Sequence, residues 1–194
     1  MVYGIGHLGN TSSRNNKKLK KSYEIWCKML KRCYDPNYID RPTYKNCSVC
    51  DEWLYFENFE KWFDKNYYEI PNEKMCLDKD ILVKGNKIYS PLYCRIVPNT
   101  INCLFTKSNK MRGIYPIGVY YSDISKKFKS QLSILKNNKK TRKSLGYYNT
   151  PEDAFEAYKK AKEQYIKNTA DKYKKYIPLD IYNAMYEYKV EITD

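Results

Sequence analysis

The residues Leu77–Asn102, LDKDILVKGNKIYSPLYCRIVPNTIN, decide how the first half of this chain is read. Leu77-Asp78-Lys79-Asp80-Ile81-Leu82 reads as one short strand. Gly85-Asn86, flanked by Lys84 and Lys87, reads as a tight turn, because glycine reaches positive φ without a steric penalty. Lys87-Ile88-Tyr89 is then the return strand. Ser90-Pro91 opens a helix or turn, Ser as a cap and Pro at the first helical position. Arg95–Pro98 and Asn99–Asn102 complete a ββα-like unit. Two aspartates at i and i+2 on a strand point to one face. Two carboxylates on one face suit a divalent cation, so Asp78 and Asp80 are the candidate metal ligands; a solvated hairpin with charged edges is the plainer alternative.

Helices precede this unit. Tyr23, Trp26, Cys27, Leu30 and Cys33 recur at three- and four-residue spacing, which predicts a helix from Ser22, as N-cap, to Cys33. Pro36 and Pro42 mark residues 35–46 as a loop. A second helix is expected over 54–65, with Phe56, Phe59, Trp62 and Phe63 as its buried stripe. Residues 1–21 begin glycine-rich and turn basic at Arg14, Lys17, Lys18, Lys20 and Lys21. They read as a flexible or loosely packed arm, either lying on DNA phosphates or solvated as a tail.

This region resembles the degenerate ββα core of phage-encoded HNH homing endonucleases, including the stretch YEIWCKMLKRCYDPNYIDRPTYKNCSVCDEWLYFENFEKWF ahead of it. The resemblance implies DNA binding and, if the core is active, cleavage of duplex DNA with magnesium or manganese. It implies Asn102 as a last metal ligand and Lys79 as a residue neutralising phosphate charge. One position departs from the pattern. The histidine that serves as general base is replaced here by Lys79 or Asp80, and the only histidine, His7, is distant in sequence.

Composition points to the same class of partner. The 194 residues carry a net charge of +14, which suits a polyanion. Twenty-two tyrosines offer rings that bury while keeping a polar tip, and that stack on bases or sugars. The seven cysteines, with no secretory start and no membrane-length apolar run, suggest a cytoplasmic protein with reduced thiols, and the resemblance to phage proteins implies an infected or prophage-carrying bacterium as host. Cys47-Ser48-Val49-Cys50 is a single CxxC; a four-cysteine zinc site needs a second pair, so no stoichiometric zinc is expected.

The charge is concentrated between Thr106 and Ser144, where eleven Lys or Arg face one acid, Asp123. Residues 118–121, 127–135 and 140–148 read as three strands. Thr150-Pro151-Glu152-Asp153 opens a long helix with a capping signature, striped by Ala154, Ala157, Tyr158, Ala161 and Tyr165. A last helix is expected over 179–188. The stretch GVYYSDISKKFKSQLSILKNNKKTRKSLGYYNTPEDAFEAYKKA resembles the ethylene-response-factor type of DNA-binding domain, whose sheet enters the major groove. The resemblance implies that Tyr120, Ser122, Gln131, Ser133, Arg142 and Ser144 face DNA, and that Lys127, Lys129, Arg142 and Lys143 contact phosphates. Ser144 stands where that family has an aromatic residue, and Tyr120 and Ser122 where it has arginines, so base specificity does not carry over.

The expected fold class is therefore α+β: an HNH-like ββα domain with N-terminal helices over 1–105, and a three-stranded antiparallel sheet on a long helix over 106–194. The expected partner is double-stranded DNA, with no membrane association. The alternative is a catalytically silent binder that regulates transcription or blocks a host defence protein or nucleoprotein complex.

Overall fold

The computed structural model describes residues 1–39, 44–105, 114–136 and 139–192. The chain is mixed α+β and divides into two compact units, Met1–Cys103 and Leu104–Asp194.

In the first unit a short hairpin, β1 (Arg14–Asn15) and β2 (Lys18–Leu19), leads into α1 (Lys21–Tyr34). Asn16 and Lys17 both take positive φ, as a two-residue hairpin turn requires. Lys20, not Ser22, occupies the N-cap; Ser22 is buried within the first turn, its hydroxyl toward Glu60. Next come α2 (Pro36–Ile39), β3 (Ser48–Val49), a 3-10 turn over Asp51–Leu54 and α3 (Phe56–Asn66). Trp26, Met29 and Leu30 of α1 meet Trp53, Phe56 and Phe59 in the core, all fully buried. The Trp26 indole N–H donates to the Trp53 carbonyl at 2.7 Å, so this large apolar ring keeps its polar atom satisfied.

The start of the N-terminal segment is anchored rather than loose, while residues 14–19 stay exposed. Its backbone bonds to both sides of the turn before α3, His7 N–H to Leu54 O and Phe56 N–H to His7 O, each at 2.8 Å. Gly6 explains the close approach: a Cβ there would lie 2.4 Å from Leu30 Cδ1. Lys20 and Lys21 ion-pair with Glu60 and Glu69, so part of the basic run is neutralised within the unit.

The strands of the quoted stretch pair differently from the expected hairpin. β4 spans only Met75–Asp78, and its antiparallel partner is β6 (Arg95–Pro98), which runs into the single turn α4 (Asn99–Asn102). β5 (Ile88–Tyr89) pairs instead in parallel with β3. The predicted turn does form one residue earlier, Asn86 N–H bonding Val83 O with Gly85 at φ +80°. Ser90-Pro91 opens a turn and no helix.

In the second unit the order is β7 (Val119–Ser122), β8 (Lys127–Lys136) and β9 (Lys139–Tyr148), an antiparallel meander with β8 in the centre. It is followed by α5 (Pro151–Tyr173) and α6 (Leu179–Glu187). Thr150 caps α5, its hydroxyl oxygen accepting from Asp153 N–H at 3.2 Å, while its O–H donates to the Asp153 carboxylate. Val119 and Leu132 pack on Ala154, Phe155 and Tyr158 to form the core between helix and sheet.

Gly118 sits where β7 passes under α5. Its φ is +77°, and a Cβ would lie 2.1 Å from Tyr158 Cδ2. Gly85 has a similar φ with nothing near it. Both Ala substitutions incur the left-handed cost, about 1–2 kcal/mol. Gly118→Ala adds overpacking of about 1–3 kcal/mol. Urea denaturation should therefore show Gly118→Ala as clearly the more destabilising of the two.

Candidate functional site

Two groups of residues carry the sequence-based expectations, one in each unit. The acidic turn of the first unit is closed upon itself. Asp78 ends β4, and its Oδ1 accepts the N–H groups of Asp80 (2.8 Å) and Ile81 (2.7 Å). That local capture of backbone donors stops the strand at Asp78, the usual competition between a short acidic side chain and the ladder. Asp80 therefore lies outside the strand, and the alternation that placed both carboxylates on one face does not apply. Lys79 is 5% exposed; its ammonium pairs with Asp80 and donates to Asn86 O at 2.7 Å. The Asn86 amide returns two bonds of 2.8 Å, to Lys79 O and Ile88 O. Lys79 thus ties residues 79–88 into a loop and directs its charge inward. Asn102 closes α4.

Burial pushes the Asp78 carboxyl above its ordinary value, and the two backbone N–H groups only partly offset this. Burial likewise pushes up the Cys47 and Cys50 thiols, disfavouring the thiolate that binds metal. No group of three His, Cys, Asp or Glu side chains gathers at one point among the described residues. His7 stacks on Tyr55, with ring centroids 5.3 Å apart, at the start of α3.

In the second unit the register sorts the basic residues by face. Directly opposed residues share a face, and successive residues alternate. Phe128, Ser130 and Leu132 of β8 turn toward α5, so Lys127, Lys129, Gln131 and Ser133 turn away. Their partners share that outward face: Tyr120 opposite Lys129, Ser122 opposite Lys127, Ser144 opposite Gln131, Arg142 opposite Ser133 and Lys140 opposite Leu135. The six residues expected to face DNA by resemblance lie together there. Lys143 does not. It is opposite Leu132, on the face that α5 packs against, and reaches solvent beside the helix on an edge strand. Arg142 and Lys143 are neighbours in sequence and so cannot share a face.

The sequence reading overlooked Tyr147. Simple alternation from Arg142 turns Ser144, Gly146 and Tyr148 outward. The register shifts between Ser130 and Gln131, and Leu145 is the extra residue on β9. Gly146, at φ +124°, supplies the backbone freedom such a bulge needs. Beyond it the phase reverses: Tyr147 faces out opposite Lys129, and Tyr148 faces in opposite Phe128. A glycine within an otherwise strand-like basic run was the available signal. The Lys129 ammonium lies 5.8 Å from the Tyr147 ring centroid, a cation–π contact on the open face.

The outward face therefore holds Lys127, Lys129, Lys140 and Arg142, and no carboxylate occurs anywhere on the three strands. No protein-family model, curated protein or solved structure matches the chain. Among the described residues no helix is long and apolar enough to cross a membrane.

The acidic turn predicts a pH-dependent contrast. A carboxyl whose folded-state pKa is raised binds its proton more tightly in the native state. Stability attributable to it falls as pH rises from about 3.9 through the raised value. Asp78→Asn keeps an acceptor for both N–H groups and removes the buried charge, so it should match or exceed the wild type at pH 7, with the advantage shrinking toward pH 4. Asp78→Ala orphans both donors and should lose about 1–3 kcal/mol. Urea melts at the two pH values read both.

Proposed function

We propose that this protein binds double-stranded DNA through the outward face of the β7–β9 sheet, with Lys127, Lys129, Lys140 and Arg142 on phosphates and Tyr120, Gln131 and Ser144 nearest the bases. The observation that carries this reading is the sorting of charge: four cations on one uncovered sheet face with no acid among them. Such a face attracts a polyanion and releases its counterions on binding. The sheet is backed by α5, so phosphate contacts would set the register and the central polar side chains would meet base edges.

The first unit fits a binding protein better than a cleaving one. A divalent metal on a scissile phosphate needs carboxylates with free lone pairs aimed at a common point. Asp78 spends one oxygen on two backbone donors, and Asp80 is paired with Lys79. We therefore favour the silent reading, a DNA-binding regulator or blocker, over the HNH-like nuclease. Plasmid incubated with the protein and magnesium or manganese should stay intact; metal-dependent nicking abolished by Asp80→Ala would reinstate the nuclease.

The binding claim has a quantitative form. Duplex affinity should fall steeply with salt. The double variant Lys127→Ala, Arg142→Ala should reduce the slope of log K against log salt by about two, since each phosphate contact contributes roughly 0.9. Lys143→Ala, on the other face, should leave the slope nearly unchanged. Fluorescence anisotropy at several salt concentrations separates these outcomes.

A further inference from the structure

One row of the outward face is built unlike a phosphate track. Tyr120, Lys129 and Tyr147 stand side by side across all three strands, Tyr120 opposite Lys129 and Lys129 opposite Tyr147. The two rings are about half exposed, Tyr120 at 53% and Tyr147 at 50%. On the inner side Tyr148 and Tyr158 pack into the core cluster, while Tyr121, 42% exposed, sets its ring against Phe128. Adjacent strands lie about 4.8 Å apart, so the two rings flank Lys129 across roughly 10 Å.

Exposed tyrosine rings on an uncovered sheet have a hydration cost, and among the described residues the ring contact they make is that of Lys129 with Tyr147. Paired bases inside a duplex offer edges but no faces to such rings. Unpaired bases offer faces, and stacking on an aromatic platform is tolerant of sequence. The lysine between the rings supplies the charge for the phosphate that links two splayed nucleotides. The surrounding cations Lys127, Lys140 and Arg142, with no carboxylate on the strands, attract an anionic partner, and the rings flanking Lys129 favour a nucleic-acid strand over an acidic-faced protein.

We propose that the Tyr120–Lys129–Tyr147 row is a stacking site for unpaired bases, so that the sheet prefers DNA carrying a locally unpaired stretch over the same sequence fully paired. This rests on the proposed DNA binding by the same face.

The test compares a fully paired duplex with one of identical flanks and a three-nucleotide bubble, by fluorescence anisotropy with the full chain. The bubble carries 2-aminopurine, whose emission is quenched on stacking. Wild type should bind the bubble about tenfold or more tightly, with quenching beyond that of the free oligonucleotide. Tyr120→Leu with Tyr147→Leu should erase both, so that the variant binds bubble and duplex with equal affinity and without quenching. Tyr120→Phe with Tyr147→Phe should keep them, which distinguishes lost stacking from lost folding. Equal affinity of the wild type for both DNAs overturns the stacking site and leaves the duplex reading standing. A preference that survives loss of both rings also overturns it. Failure to bind either DNA sinks both readings.

Discussion

The packing of α5 against one face of the β7–β9 sheet is the constraint from which the rest of the second unit follows. Ala154 is small enough, and Gly118 bare enough, for the helix and the Tyr158 ring to lie directly on β7 and β8. Tyr165 reaches further along, its hydroxyl oxygen accepting the Leu135 N–H at 2.9 Å. Burial of each large apolar side chain contributes about 1.5–3 kcal/mol. A one-residue slip of any strand would exchange the buried and exposed sets. The inner face being fixed by apolar burial, the outer face is fixed by exclusion. Its lysines and its arginine gather on one side because the pleat leaves them no alternative.

That arrangement was largely legible in the sequence. Ten-residue strands carry enough alternation to fix a face, and Thr150-Pro151 with Asp153 marks the helix start through capping chemistry that depends on neighbouring residues alone. What escaped detection depended on single residues. Leu145 adds one position to β9, and Gly146 permits it, so Tyr147 and Tyr148 exchange faces. Lys143 was grouped with Arg142 on charge, although adjacent strand residues diverge.

The first unit was less legible for a related reason. Strands of two to four residues hold no periodicity, and their partners are chosen by tertiary packing. Asp78 looked like half of a carboxylate pair, but its oxygen was closer to the backbone of Asp80 and Ile81 than to any shared ligand point. Lys79 was expected to neutralise phosphate charge; instead its ammonium is buried, satisfied by Asp80 and Asn86 O together. The N-terminal residues looked loose because glycine carries no pattern. The absence of a Cβ at Gly6 is what lets the chain settle against Trp26 and Leu30. The aromatic stripes of α1 and α3 were legible, since Trp26, Phe56 and Phe59 follow helical spacing and their burial needs no other partner. In both units the readable features are those set by many residues acting together.

The central claim is that one face of one sheet meets DNA. Lysine acetylation footprinting, with and without a saturating duplex and read by mass spectrometry, tests it most directly. The account predicts protection of Lys127, Lys129 and Lys140, with Lys143 and the helix lysines Lys160 and Lys172 modified equally in both conditions. Protection confined to lysines of the first unit, or to α5, with the three strand lysines unchanged, would contradict it.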